Sequence, residues 1–384
     1  MNCKKIAIFS PFAPPQRSAA VTRIVSLRNY LINKALETRI ISPVHLKTHE
    51  EKIPDYVIYY NKITELFRIF SDFDVIIITT PPGNYAFKAS IIAKLLRKKV
   101  IIDVRDPWTL AQLELNLIKK GSPKYIKQIV MEKITYILAD VISFVSDYLA
   151  NYMQKNRLYN SKKKVIIAPN GVEPQSFNYS KVERDVIRNE LNIPKDATVL
   201  TYVGIIGGKE LDKFLKVVAP LIKKNNMYIL FILIVDKWSQ HLKEELVDIA
   251  SDLKVNNRLR IISSVEHDKV YKYLSSADIA LNPLPENLNY CFPVKTFEYM
   301  ANELYISAKG PSEGPLYTLI KEHDFGFYAK NWSEYYHSLE NVIAMYHEDG
   351  IRSKGKEGRE IVVKQFQREF ANEKIYQSIM GLNQ

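Results

Sequence analysis

Short runs of β-branched and aliphatic residues alternate with longer stretches of helical periodicity along the chain, the pattern of a parallel sheet covered by helices on both faces. In the first half the expected strands are Lys5 to Phe9, Thr38 to Ile41, Val75 to Ile78, Val100 to Val104, Val141 to Val145 and Val165 to Ala168. Between the first two, Val21, Ile24, Val25, Leu31 and Ile32 recur at helical spacing, with Arg23, Arg28 and Asn29 on other faces, which makes a βαβ opening. After Pro169-Asn170-Gly171 the texture turns polar from Glu173 to Lys195 and marks a domain boundary. A second series follows: Thr198 to Gly204, Met227 to Val235, Leu259 to Ile262, Asp278 to Asn282 and Leu304 to Ser307. From Lys354 to Gln384 a helical pattern carries Ile361, Val362, Phe366, Phe370 and Ile375. The expected division is 1–180, 181–365 and a terminal helix, 366–384, packing back on the first domain.

Open α/β sheets bind ligands outside the carboxyl ends of their strands, so two doubly wound halves facing a central cleft place the expected site there. The first βα turn, Ser10 to Ala20, lacks the glycine spacing of a dinucleotide fingerprint, which disfavours a nicotinamide dehydrogenase.

Composition narrows the classes. A chain of 384 residues accommodates two cores, and its 47% apolar and 25% charged residues are those of a folded protein. The longest apolar stretch, Met227 to Val235, falls short of the roughly 20 residues a membrane span needs. Met1 to Ile6 passes through Lys4 and Lys5 into a strand without the apolar region of a secretory signal, so a cytoplasmic location is expected. Cys3 and Cys291 stand far apart, which favours neither a disulfide framework nor a metal cluster. The formal charge of +12 calls for an anionic partner. Without a zinc-finger or aromatic RNA-binding pattern nucleic acid is disfavoured, and a phosphate-bearing substrate near a lipid surface fits better. The stretch Ile118 to Leu138 combines lysines with an apolar stripe. It reads either as a helix in peripheral contact with an anionic membrane or as a core-packed helix with a solvated lysine face.

The segment richest in chemistry is Asn282 to Glu303, a strand end, an irregular loop and a helix, with Pro293 suited to the first helical turn. Val294, Phe297 and Ala301 form one face of that helix, and Lys295, Glu298 and Asn302 another. Two readings stand side by side. Lys295 and Glu298 make an exposed ion pair of a few tenths of a kcal/mol, or the lysine meets an anion beside free helix amides while the carboxylate accepts two ribose hydroxyl protons. His267 and His323 lie in sequences typical of surface loops.

Pro293-Val-Lys295-Thr-Phe297-Glu298-Tyr299-Met-Ala301 resembles the P-x-K-x-[FY]-E-Y-x-A segment of glycosyltransferase family 4 (glycosyl transferases group 1), which has the GT-B fold. The resemblance continues in order along the chain. Ser10 to Arg23 resembles the family's acceptor-side entrance, Asp103-Val-Arg105-Asp106-Pro-Trp108 its D-x-R-D-x-W segment, and Ala139 to Ser146 its A-D-x-[IV]-x-x-[VT]-S segment. Val165 to Val172 resembles the stretch before the interdomain linker, Tyr202-Val-Gly204 the first strand of the donor domain, and Ser276-Ala277-Asp278 with Asn282-Pro283 completes the run.

The resemblance implies an α/β protein of GT-B architecture that moves a sugar, with retention, from a nucleotide-diphosphate sugar to a glycan or lipid-linked acceptor, with neither cofactor nor metal. Glu298 would hold the donor ribose. Gly207, Gly208, Lys209, Asn289, Tyr290, Val294 and Lys295 would surround the diphosphate, where cations stabilise the leaving group. Ser18, Arg23, Arg105, Asp106 and Trp108 would serve the acceptor. Asp106 would orient or deprotonate its hydroxyl, or pair structurally with Arg105, and Trp108 would offer a platform. Two positions depart from the pattern: Tyr290 stands where many relatives carry an acid, with Glu286 nearby, and Ile205 where many carry an arginine. They motivate the alternative of a silent nucleotide-sugar or glycan-binding subunit.

Overall fold

The computed structural model describes residues 4–16, 18–44, 53–205, 210–234, 240–263, 265–345 and 348–383. The chain divides into two compact units, Met1–Asn170 with Arg368–Gln384, and Gly171–Gln367. The sequence pattern put these limits at 180 and 365. Val172 sets them where they are, because its N–H donates to the Phe366 carbonyl at 3.0 Å and it bridges to Gln367, tying both ends of the second unit together.

The first unit is a seven-stranded sheet of β1 (Lys5–Phe9), β2 (Glu37–Pro43), β3 (Val57–Tyr60), β4 (Val75–Thr80), β5 (Lys99–Val104), β6 (Val141–Phe144) and β7 (Lys164–Ile167). The order is β3-β2-β1-β4-β5-β6-β7 and every pairing is parallel. The order reverses between β1 and β4, which opens a crevice beyond their carboxyl ends. Ile6, Ile8, Ile40, Ile77, Ile101 and Val141 share one face and pack against Ile24, Leu27 and Leu31 of the helix Ala19–Asn33, and against Ala371, Ile375 and Ile379 of the helix Arg368–Met380. Each such aliphatic side chain contributes about 1.5–3 kcal/mol by leaving water. The terminal helix is further tied down by Asn372, whose Nδ2 donates to Ser26 Oγ at 3.1 Å. The Ala19–Asn33 helix differs from its sequence reading at two positions: Ile32 is exposed and Arg23 is buried. The cause is the charged partner Arg23 finds inside, described below.

The second unit has β8 (Thr198–Ile205), β9 (Met227–Ile234), β10 (Leu259–Ser263), β11 (Ile279–Pro283), β12 (Tyr305–Lys309) and β13 (Gly326–Ala329), in the parallel order β10-β9-β8-β11-β12-β13. Here the order reverses between β8 and β11. These two strands are in register only at Leu200 with Ile279 and Thr201 with Ala280, after which they part. The pattern Lys354 to Gln384 resolves into two helices, Glu348–Gln365 and Arg368–Met380, broken at Phe366 and Gln367. Among the described residues no helix is long and apolar enough to cross a membrane.

Beneath β11 lies a buried charge network. The Asp278 carboxylate meets Arg184 at 2.8 Å and Arg188 at 2.9 Å, and accepts the Val199 N–H at 2.8 Å. Burial lowers the Arg188 guanidinium to about 10 against the pull of Asp278. Arg352 stands beside them and donates to the carbonyls of Asn302 at 3.1 Å and of Ala277. Replacing Asp278 by Asn leaves two buried guanidinium groups without their counter-charge. It should cost about 3–5 kcal/mol in urea unfolding, whereas breaking the exposed Lys224–Glu340 pair should cost at most about 1 kcal/mol.

Candidate functional site

In the second unit the helix Val294–Ala301 begins just past the carboxyl end of β11, with Pro293 as its N-cap residue and no side-chain cap. Pro293 thus precedes the first turn instead of standing in it. Hydrogen bonds at three points aim the helix. Asn282 Nδ2 donates to Thr296 Oγ1 at 2.7 Å, fixing the first turn to the end of β11. The Val203 N–H, left over where β8 and β11 part, donates to the Tyr299 hydroxyl at 2.8 Å. At the far end Asn302 Nδ2 reaches the Phe177 carbonyl at 3.2 Å and the Tyr271 carbonyl at 3.3 Å. A buried N–H without a partner costs about 1–3 kcal/mol, so Tyr299 both satisfies Val203 and holds the strands apart.

Lys295 and Glu298 find different partners, against the reading of an exposed ion pair. The Lys295 ammonium lies 3.6 Å from the centre of the Tyr202 ring, a cation–π contact. It also lies against the end of β8: a Cβ on Gly204, whose φ is +139°, would come within 3.2 Å of Lys295 Nζ. Glu298 is buried and takes a hydrogen bond at 2.9 Å with His267 Nε2. The His267 ring itself packs edge-on against Phe177. Glu298 and Asn302, on a different face from Phe297 and Ala301, are buried along with them.

The loop between β11 and this helix is anchored to the one after β12. Asn289 Nδ2 donates to Glu313 Oε1 at 2.5 Å. Gly314, at φ +121°, lies under the Asn289 carbonyl, where any Cβ would approach it to 2.1 Å. Tyr290 is buried, Val294 half-buried and Glu286 exposed. The buried Lys309 ammonium, at the end of β12, meets Glu210 at 3.0 Å and Glu286 at 3.4 Å. Burial would raise the Glu210 carboxyl, yet Lys213 and Lys309 together hold it below the usual range. Gly207, Gly208 and Lys209, expected around the diphosphate, lie outside the described residues.

In the first unit Arg23 is a clamp. Its Nε and Nη2 make a bidentate pair with Asp103, both bonds 2.8 Å, Nη2 also reaches the Ala168 carbonyl at 2.9 Å, and Nη1 reaches the Pro169 carbonyl at 3.0 Å and Asn170 Oδ1 at 3.5 Å. These five bonds use every N–H a guanidinium has. Arg23, expected on the acceptor side, is thus buried with its donors engaged inside the first unit. Burial would raise the Asp103 carboxyl, but Arg23, together with the Ser143 hydroxyl at 3.0 Å, holds it below the usual range. Ser18 caps the Ala19–Asn33 helix, its Oγ accepting the Val21 N–H at 3.3 Å. Arg105 is largely enclosed and donates to the Pro81 carbonyl at 3.2 Å. Burial lowers its guanidinium, with Asp106 and Asp103 opposing. Asp106 is exposed, and Trp108 lies over Gly83, where a Cβ would come within 2.6 Å of the indole.

Residues 183–349 match the family described as Glycosyl transferases group 1. This stretch is a group 1 glycosyltransferase domain. Solved structures share the whole fold. A sucrose-phosphate synthase from Thermosynechococcus elongatus superposes with a TM-score of 0.74 at 15% identity, covering 99% of each chain. A glycosyltransferase from Rickettsia africae gives 0.74 at 13% identity and 99% of each chain. The HepE protein of Anabaena, in complex with UDP and glucose, gives 0.73 at 12% identity, covering 98% of this chain and 99% of that one. The fold is GT-B, two doubly wound parallel-sheet units. No curated protein matches the chain.

Sequence reasoning gave no role to four polar groups, His267 and Lys309 in the second unit and Asp103 and Glu132 in the first. His267 follows the carboxyl end of β10, and its position on that side of a parallel sheet is the signal that separates it from His323. Lys309 and Asp103 are charged residues ending or nearly ending buried strands, which is a signal of a pair inside. Glu132 gave none. It is buried on the helix Pro123–Leu138, accepts the Thr109 N–H at 3.2 Å and the Tyr136 hydroxyl at 3.4 Å, and burial raises its carboxyl to about 7. The folded state therefore binds the extra proton between the ordinary carboxyl value of 4.5 and about 7. Its stability is full below the lower value and lost as pH rises through the upper one. Glu132→Gln should leave stability near pH 4.5 little changed and raise it by about 2–4 kcal/mol at pH 8. Urea unfolding across that range checks this, and an offset independent of pH would contradict it.

Proposed function

We propose that the chain transfers a sugar, with retention of configuration, from a nucleotide-diphosphate sugar to a glycan or lipid-linked glycan, in the assembly of a cell-surface polysaccharide or glycoconjugate. The observation that carries this reading is the Val294–Ala301 helix of the group 1 domain, which starts at the switch point of its sheet and bears Lys295 at its amino end and the buried Glu298 one turn on. A buried carboxylate with one oxygen on His267 keeps acceptor capacity for a vicinal diol, the hydroxyl pair of a ribose. An ammonium beside a helix start and a glycine-containing strand end suits a diphosphate, and Lys209 would add a second cation to the charge growing on the leaving group. These cations do the electrostatic work here without a metal ion or cofactor. Gly207, Gly208, Asn289, Tyr290 and Val294 complete the donor side in this reading.

On the acceptor side Asp106 is exposed past the end of β5 and can take a proton or orient a hydroxyl, and Trp108 offers an aromatic face for a sugar ring. Ser18 and Arg23 act by shaping the entrance, one as a helix cap and the other as the Asp103 clamp. HepE of Anabaena was solved with UDP and glucose, which supports a uridine-diphosphate sugar as the first donor to try. The reading includes a cytoplasmic protein in peripheral contact with an anionic membrane.

Glu298→Ala should lower kcat/KM for sugar transfer by about a hundredfold or more, some 2.7 kcal/mol of transition-state stabilisation. His267→Gln, which releases the carboxylate without removing it, should raise the donor KM by about tenfold and leave kcat nearly unchanged. Steady-state kinetics with radiolabelled donor reads both. Unchanged transfer by Glu298→Ala would overturn the donor assignment, and nucleotide binding without transfer to any acceptor would make the chain a binding subunit.

A further inference from the structure

The helix Pro123–Leu138 buries Gln128, Glu132, Thr135 and Tyr136, a strongly polar inner face for a core helix. Of its apolar side chains Ile129, Met131, Ile134 and Leu138 are half-buried, while three others lie outside. Ile126 is 54% exposed, Val130 47% and Ile137 66%. They stand at i, i+4 and i+11, with the half-buried Lys133 at i+7, so one stripe runs about 16 Å along the outer side. Leu115 and Leu117, in the connection leading to the helix, are exposed as well. Lys119, Lys120, Lys124 and Lys127 are exposed around the stripe, and from Leu115 to Met131 the sequence has no aspartate or glutamate.

Core packing accounts for the four half-buried apolar side chains but not for the three aliphatic ones left outside. A helix–helix partner would bury apolar stripes of its own but would find no acidic residue here to pair with and several lysines to neutralise. A bilayer surface carrying anionic headgroups supplies both complements at once: acyl chains for three aliphatic side chains about one helix turn or more apart, and phosphates for the lysines that flank them. Lysine stems lie along apolar surface with their ammonium groups at headgroup level, so the two kinds of residue need not compete for depth.

We propose that this outer face is the membrane-docking surface of the chain, lying flat on an anionic leaflet with Ile126, Val130 and Ile137 inserted and Lys119, Lys120, Lys124 and Lys127 on phosphate. This deepens the reading of a lipid-linked acceptor and rests on it for its purpose, while the surface itself is tested without any transfer reaction. A few inserted side chains and four lysines give reversible binding that weakens with salt, as expected of a protein that must meet and leave its substrate.

The test is sedimentation of the full-length protein with sucrose-loaded vesicles of phosphatidylcholine alone and of phosphatidylcholine with phosphatidylglycerol. The wild type should bind the anionic vesicles, lose most of that binding at high salt, and leave neutral vesicles in the supernatant. Ile126→Ser with Val130→Ser and Ile137→Ser should weaken binding by about tenfold or more, and Lys119→Gln with Lys120→Gln, Lys124→Gln and Lys127→Gln should weaken it by about a hundredfold. Both variants replace exposed residues, and unchanged thermal midpoints would show that they fold. Absence of wild-type binding, or equal binding by wild type and both variants, would overturn the proposal. So would loss of a dimer in the apolar variant with vesicle binding intact, which would assign the stripe to a second copy of the chain. Transfer to a water-soluble acceptor, measured beside it, reports separately on the function proposed above.

Discussion

The position of the Val294–Ala301 helix depends on one buried carboxylate. Asp278 draws Arg184 and Arg188 into the second unit, and Arg352 beside them holds the Asn302 carbonyl at the end of the helix that carries Lys295 and Glu298. Three guanidinium groups around one aspartate are tolerable inside a protein only when their remaining N–H groups are satisfied, and backbone carbonyls of Ser276, Ala277 and Ala197 do this. A charge network of this kind is rigid because each member is over-determined. Rigidity at the base of the helix is what a binding site needs at its tip, where a displacement of about an ångström costs heavily in transition-state stabilisation.

The same logic explains why conspicuous polar residues at the strand ends differ in use. Arg23 and Asp103 spend their capacity on each other, on Ser143 and Asn170, and on the carbonyls of Ala168 and Pro169, so they hold the chain beyond β7 in place. Asp106, three residues on, is exposed. In the second unit Tyr299 fills the gap between the parting strands, and Lys309 ties three segments together through two carboxylates. Lys295 and Glu298 stand on the helix that follows the carboxyl end of β11, the first against the Tyr202 ring and the second on His267, on the side of the sheet where a switch point places a crevice.

Much of the fold was legible because both sheets are parallel and buried on two faces, so their strands read as continuous apolar runs bounded by polar turns. Eleven of the strands were found this way. The two that escaped, Val57–Tyr60 and Gly326–Ala329, are edge strands of four residues with tyrosine or glycine, too short and too mixed to stand out. The Pro293–Ala301 segment stood out through its motif as a candidate site. Burial of Arg23, Glu298 and Asn302 was not legible, because helical spacing does not bury a polar residue unless its partner is known, and those partners lie 80, 31 and 125 positions away. Glu132 was hidden for the same reason, and His267, exposed as its sequence suggested, gave no local sign of its partner Glu298.

The account stands or falls on a nucleotide-sugar site in the group 1 domain. The most direct measurement is ligand-dependent thermal stabilisation of the purified protein against UDP-, GDP-, ADP-, dTDP- and CMP-sugars, with Glu298→Ala in parallel. A ligand bound only by the folded state raises its stability by RT ln(1 + [L]/Kd), about 2.7 kcal/mol at a hundredfold excess over Kd. The account predicts a clear upward shift with one diphosphate sugar that is largely lost in the variant. No shift with any of them at millimolar concentration, or an equal shift in wild type and variant, would contradict it.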